Sequence, residues 1–193
     1  MNDKPRWPHA DGLTIAGEIY AALEPVCERI IVAGSLRRRK PTVGDVEILY
    51  IGRTETRPDP DDMFATITVN LADEVIAEME HTGRLERRRN VNGSEMFGPK
   101  NKLMRHRGSG MPVDLFAATL ENWWNYLVCR TGPADSNTRI ASAAQFRGWK
   151  WHPYGSGFSR ENEEGEREEF TVTCEEDIFR FIGMPFAEPW DRR

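Results

Sequence analysis

Leu13, Ala16, Tyr20 and Leu23, with Ile15 and Ile19 beside them, recur at helical spacing and predict a first helix that Pro25 bounds. Arg29-Ile30-Ile31-Val32-Ala33 is short and β-branched, which predicts a buried strand, and Gly34-Ser35 breaks it. Val46, Ile48 and Tyr50 alternate with Asp45, Glu47 and Leu49, the period-two mark of a second strand. Thr54 to Asp62 carries two prolines and reads as a loop, and roughly Thr66 to Glu80 reads as an amphipathic helix stopped by Gly83. From Leu85 to Phe116 the pattern favours several strands, with turns at Asn92-Gly93, Gly98-Pro99 and Gly108-Ser109-Gly110. The last of these strands is Pro112 to Phe116. Helices follow over about Leu120–Val128 and Asp135–Arg147, then short strands around Trp149 to Arg160, an acidic loop, and a final helix near Glu175–Ile182. The fold class is α+β: a mixed sheet with helices, then a small C-terminal lobe. The breakpoint near residues 129–133 divides the chain into domains at 1–130 and 131–193.

Composition narrows the class. The chain has 193 residues, long enough to bury a core, and 39% apolar with 30% charged residues argues against disorder. No apolar run approaches the roughly 20 residues of a membrane span, and the N-terminus has no secretory apolar stretch. The expectation is an intracellular, cytoplasmic protein that is neither secreted nor bound to a membrane. Cys27, Cys129 and Cys174 are widely spaced, which predicts reduced thiols rather than a zinc or disulfide framework. The net charge of −5 alone counts against a polyanion binder, but the charge is uneven. Arg37-Arg38-Arg39-Lys40 is a basic run, and a basic region spans residues 84–107. Distant charges are screened within about 10 Å, so local potential decides. Arg87, Arg88, Arg89, Lys102 and Arg105 are the candidate polyanion contacts of that region.

The densest chemistry lies between Gly34 and Tyr50. Asp45 and Glu47 are two apart on one strand and therefore share a face. Two such carboxylates repel, and a hard divalent cation with oxygen preference removes the conflict. Gly44 lets a ligand approach the backbone. Gly34-Ser35 follows a strand and can open a short helix whose free amides and hydroxyl suit a phosphate, while Arg37 and Arg38 supply guanidinium groups. One segment thus offers carboxylates for metal and donors for a triphosphate.

Ala33-Gly34-Ser35-Leu36-Arg37-Arg38-Arg39-Lys40-Pro41-Thr42-Val43-Gly44-Asp45-Val46-Glu47-Ile48-Leu49 resembles the signature of the X-family, polymerase beta type of DNA polymerase. Pro112-Val113-Asp114-Leu115-Phe116 resembles the strand bearing that family's third carboxylate. Arg130-Thr131-Gly132-Pro133, with Asn137 and Gly148-Trp149, resembles its nucleotide-contacting thumb segment, and Glu175 to Phe186 with Pro189 resembles its ending. The resemblance implies a nucleotidyltransferase-fold palm and a small α+β thumb. It implies two divalent ions, Mg²⁺ or Mn²⁺, held by Asp45, Glu47 and Asp114, and two-metal transfer of a nucleotide to a 3′-hydroxyl. It further implies that Ser35 and Arg38 hold phosphates with Gly34 and Gly44 close by, and that Thr131, Gly132 and Asn137 contact the nucleotide. The partners implied are a nucleoside triphosphate and DNA, as primer or gapped duplex, with a possible protein partner that the sequence does not identify. With DNA as the polyanion, Arg87, Arg88, Arg89, Lys102 and Arg105 become the implied DNA contacts.

Four positions depart from the pattern. Glu47 stands where the best-known members have Asp, Pro112 where many have an arginine supporting the third carboxylate, Cys129-Arg130 in place of an aromatic pair, and Ala141 where an arginine often stands. The family's usual N-terminal lyase and helix-hairpin-helix regions have no room here, so the expectation is a minimal form. Two other readings stay open: the same fold acting on RNA, protein or a small alcohol, and an inactive nucleic-acid-binding module. Trp123-Trp124, Trp149 and Trp151 are expected to pack, and His106 is not expected to be catalytic.

Overall fold

A β-strand buried on both faces needs apolar residues at nearly every position, and Val46–Gly52 meets that requirement beyond its first two residues. The computed structural model describes residues 5–90 and 92–192; Met1 to Lys4 of the N-terminal stretch read above lie outside them. In chain order the elements are β1 (Trp7–Pro8), α1 (His9–Leu23), β2 (Cys27–Val32), α2 (Gly34–Arg37), β3 (Thr42–Val43), β4 (Val46–Gly52), β5 (Thr54–Pro58), β6 (Thr66–Asn70), α3 (Leu71–His81), β7 (Leu85–Arg87), β8 (Asn101–His106) and β9 (Pro112–Ala117). They continue with α4 (Trp123–Thr131), α5 (Ala134–Phe146), β10 (Lys150–Trp151), β11 (Gly157–Glu161), β12 (Arg167–Thr171) and α6 (Glu175–Phe181). The α+β class holds, and no described helix is long and apolar enough to cross a membrane.

By contacts the chain forms two compact units. The first holds the chain up to Val32 and Thr42–Ala117; the second holds Ala33–Pro41 and everything from Ala118. The sequence reading placed the break at residue 130. Contacts place it at 117, because α4 packs with α6, and they give the Ala33–Pro41 segment to the later unit, where α2 meets α4.

The first unit is built on a five-stranded sheet in the order β2-β4-β9-β8-β7. β4 and β9 run parallel; every other pair is antiparallel. Strand alternation puts Val46, Ile48, Tyr50, Val113, Leu115, Met104 and Lys102 on one face. α1 and α3 cover it, and Val46, Ile48, Tyr50, Val113, Leu115 and Met104 have no exposed surface. Truncating one of these to alanine costs about 2–5 kcal/mol by the lost burial and the cavity left behind.

Two local expectations change. The segment read as a loop from Thr54 contains β5, hairpinned to β6. The helix expected from Thr66 begins only at Leu71. Thr66, Ile67, Thr68 and Val69 are β-branched and prefer the extended chain. Asn70 then caps α3, its side chain accepting from Ala72 N at 3.0 Å. Gly52 is required at this corner, since a Cβ there would stand 2.1 Å from Asn70 Oδ1.

The second unit has α4, α5 and α6 around the antiparallel sheet β10-β11-β12. Its core gathers Val128, Ile140, Ala144, Trp151, Phe158, Ile178 and Phe179. The tryptophans pack as expected: Trp151 donates to Asn125 Oδ1 at 2.9 Å, and Trp149 sits edge-on to Phe181. Part of the expected acidic loop is strand β12, where Glu168 pairs with Arg160 across the ladder.

Candidate functional site

The face of the five-stranded sheet opposite α1 and α3 carries the acidic residues. Asp45 directly precedes β4, Glu47 lies on it, and Asp114 lies on β9 in register with Glu47. Alternation places all three on this one face. Adjacent strands are about 4.8 Å apart, so Glu47 and Asp114 are neighbouring carboxylates. The register continues through Leu103 on β8, and Arg88, just past β7, donates its amide to Leu103 O at 3.0 Å. Glu47, Asp114, Leu103 and Arg88 therefore form one cross-strand row. Along that row Arg88 reaches over Leu103 and pairs its guanidinium with Asp114 Oδ1.

A second row, Asp45, Pro112, Arg105 and Glu86, lies beside the first, and Arg105 pairs with Glu86 at 3.7 Å. A cavity of about 320 Å³ opens against both rows, lined by Asp45, Arg88, Arg89, Arg105, Trp7 and Pro112 among others. Trp7 arrives there because β1 pairs with β3, immediately before Gly44, and Arg6 anchors the strap by donating to Thr42.

The remaining basic candidates of this unit divide sharply. Arg89 and Arg105 line the cavity. Arg87 points to the other face, bound to Glu80 at 2.8 Å and stacked 3.8 Å over Phe97. Lys102, expected to meet DNA, is instead buried at 3% exposure, donating to Asp73 Oδ1 and Gly98 O, and has no surface to offer. His106 contacts Ser109 and Glu18, away from the three carboxylates in the register.

In the second unit, Gly34 has φ +61°, which a glycine alone adopts without strain, and opens the single turn of α2. The Ser35 hydroxyl is buried and has no hydrogen-bond partner. Arg37 is committed elsewhere: it grips Glu175 with two bonds of 2.7 and 2.9 Å and donates to Thr131 Oγ1 at 2.7 Å. Arg38 donates to the Thr131 carbonyl. Thr131 is fully buried, so its hydroxyl serves this scaffold. Gly132 sits against Arg38, where a Cβ would stand 3.3 Å from a guanidinium nitrogen. Asn137 donates to Cys129 O at 2.8 Å and keeps a buried Oδ1 without a partner.

Sequence reasoning missed the inward turn of Arg88 and the Arg37–Glu175 clamp. Alternation from buried Leu85 carried the first signal, since residues 86 and 88 then face the carboxylates. Nothing local marked Glu175.

Chemically, the three carboxylates are hard oxygen donors of the kind Mg²⁺ and Mn²⁺ take. Among the described residues, no three His, Cys, Asp or Glu side chains close into a metal-holding group, and Asp114 leans toward Arg88.

Residues 126–193 match the family described as DNA polymerase beta thumb. No curated protein matches the chain. Among solved structures, Leishmania infantum polymerase beta, crystallised as a ternary P/T complex, is similar at 18% identity and a TM-score of 0.72, covering 98% of this chain and 77% of that one. The chain thus shares the fold of that polymerase along nearly its whole length, and its segment 126–193 matches the polymerase beta thumb family.

Proposed function

We propose that the chain is a metal-dependent nucleotidyltransferase that adds nucleotides from a triphosphate to a DNA 3′-hydroxyl and releases pyrophosphate. The observation that carries the reading is the set Asp45, Glu47 and Asp114 on one sheet face, with Glu47 and Asp114 in register. The polymerase beta fold and thumb support it, as does the ternary P/T complex of the similar polymerase.

In this reading the three carboxylates hold two divalent ions, Mg²⁺ or Mn²⁺. When bound, such ions lower the pKa of an attacking hydroxyl and stabilise the leaving oxygens. The chain's own residues do the remaining work. Ser35, whose buried hydroxyl lacks a partner, donates to a phosphate oxygen. Arg38 adds charge there, and Thr131 holds that guanidinium in place through its carbonyl. Gly34 and Gly44 keep side-chain bulk away from the triphosphate. Asn137 offers its buried, unpaired Oδ1 to a donor group of the nucleotide. Arg89 and Arg105, lining the cavity beside Asp45, attract phosphates of the acceptor strand.

The test is a primer-extension assay on single-stranded, templated and gapped DNA. It is run with each dNTP and rNTP, with either metal, and with RNA and protein acceptors in parallel. Extension of a DNA 3′ end is expected. Labelled protein or RNA with untouched DNA would replace DNA as the acceptor, and no transfer to any acceptor would remove the enzyme reading.

A further inference from the structure

We propose that Arg88 is a positioning residue for Asp114: its guanidinium fixes the third carboxylate in the orientation that a divalent ion needs. The inference rests on the nucleotidyltransferase reading above.

Asp114 has one strand neighbour on each side in its row. Glu47 is a like charge directly opposite, which repels it. Leu103 is apolar and offers no hydrogen bond. Within its own strand the same-face neighbour two residues before is Pro112, which has neither a polar side chain nor an amide donor. Arg88, one strand further out, supplies a cation and pairs its guanidinium with Asp114 Oδ1. An Asp carboxylate turns about two bonds. Holding Oδ1 leaves acceptor capacity on the group, since an ionised carboxylate has about four lone-pair sites.

Two further observations separate this role from a surface phosphate contact. Side-chain exposure is 18% for Arg88 and 13% for Asp114, so the pair is largely withdrawn from water. The pair is not sealed core either, because Arg88 lines the cavity that also reaches Asp45. Moreover, Arg88 Nε is buried with no hydrogen-bond partner. A buried donor left unpaired costs free energy until a water or ligand meets it. Partners that orient metal-ligating side chains typically account for about 10–100-fold in metal affinity or activity.

The experiment compares wild type, Arg88→Ala and Arg88→Lys in the full chain, each checked for a cooperative melt. Direct Mn²⁺ binding by electron paramagnetic resonance is read alongside kcat, the triphosphate KM and the salt dependence of DNA binding. Arg88→Ala is expected to weaken Mn²⁺ binding or lower kcat by about 10–100-fold, with KM and the salt slope little changed. Arg88→Lys, which keeps the charge, is expected to recover part of the loss. Tighter Mn²⁺ binding in Arg88→Ala would show Arg88 acting as a competing cation and would overturn the proposal. A salt slope reduced by about 0.9, with Mn²⁺ binding and kcat unchanged, would make it a phosphate contact instead and do the same. If Arg88→Ala does not melt cooperatively, Arg88→Lys decides: Mn²⁺ binding and kcat both at wild-type level would refute an orienting role. If wild type transfers no nucleotide at all, the proposed function fails by itself, and Mn²⁺ binding still reports on Arg88.

Discussion

Glu175→Ala tests the clamp that ties the Gly34–Arg38 segment to the thumb. Glu175 is 6% exposed and meets two cations, Arg37 at 2.7 and 2.9 Å and Arg192 at 3.3 Å. The Arg192 side chain has no exposure, and Arg37 retains 19%. Burial already pushes the Arg192 guanidinium below its ordinary pKa, and the neighbouring Glu175 charge works against that fall. Removing the carboxylate leaves two guanidiniums facing each other with no anion between them. Breaking a buried pair in this way costs about 3–5 kcal/mol. Because Arg37 is partly wet and keeps Thr131, we expect the lower end of that range. Each kcal/mol moves the midpoint of a domain of this size by about 2–4 °C, so Tm should fall by roughly 6–12 °C. Tryptophan fluorescence is the assay of choice: Trp123, Trp124, Trp149, Trp151 and Trp190 all belong to the second unit, and Trp7 alone to the first. The control is the triple variant Arg37→Met, Glu175→Leu, Arg192→Met. Replacing a whole buried ionic set by apolar groups of similar volume is often neutral or stabilising, so it should recover most of the loss. A single variant whose Tm moves by less than about 2 °C would refute the reasoning. A triple variant as unstable as the single would do so as well.

Asp45→Ala and Asp114→Asn should each abolish nucleotide incorporation while filter-bound DNA is retained; activity in both variants would sink the carboxylate assignment. Because Glu47 is one methylene longer than Asp, Mn²⁺ should support incorporation at least as well as Mg²⁺, a point that parallel titrations of the two metals decide. Asp177 accepts from Thr173 N and Oγ1, and these bonds hold its carboxyl below the usual range. Its contribution is complete above the unfolded carboxylate pKa and lost as pH falls through the depressed folded value, so Asp177→Asn should melt with a weaker acid dependence than wild type. Burial pushes the Cys27 thiol up to about 11, so alkylation of the native protein at pH 8, mapped by mass spectrometry, should spare Cys27 until the first unit unfolds.

The two-residue period of Asp45 to Tyr50 was legible because alternation is a local property of a strand. The same holds for the β-branched run before Gly34 and for the helices of the thumb. What was not legible depends on partners distant in sequence. The order β2-β4-β9-β8-β7 places Glu47 beside Asp114 and Arg88 two strands from Asp114, and no window of sequence contains that order. The helix expected from Thr66 shows a different failure. Its apolar spacing suited a helix, yet Thr66 to Val69 are extended because β5 offers them a partner ladder. Pro58 ends that ladder rather than preventing it, as a terminal strand position allows.

Charge shows most clearly why a residue list is not a binding surface. The basic runs invite a reading as polyanion contacts, but several of their members are internal counter-ions. Arg37 is held by Glu175, Arg87 by Glu80, Lys102 by Asp73 and Arg88 by Asp114. Such a cation already has its anion and releases little further energy on meeting a phosphate. With a net charge of −5, any affinity for DNA must then rest on few cations placed where the strand passes. Arg89, at the cavity beside Asp45, is placed that way, while Arg105 beside it is shared with Glu86 at 3.7 Å and contributes less. The chemistry of this face follows from the same economy of charge: its carboxylates are concentrated at the strand starts, one guanidinium is spent on holding the third of them, and the positions left to attract a polyanion lie immediately alongside.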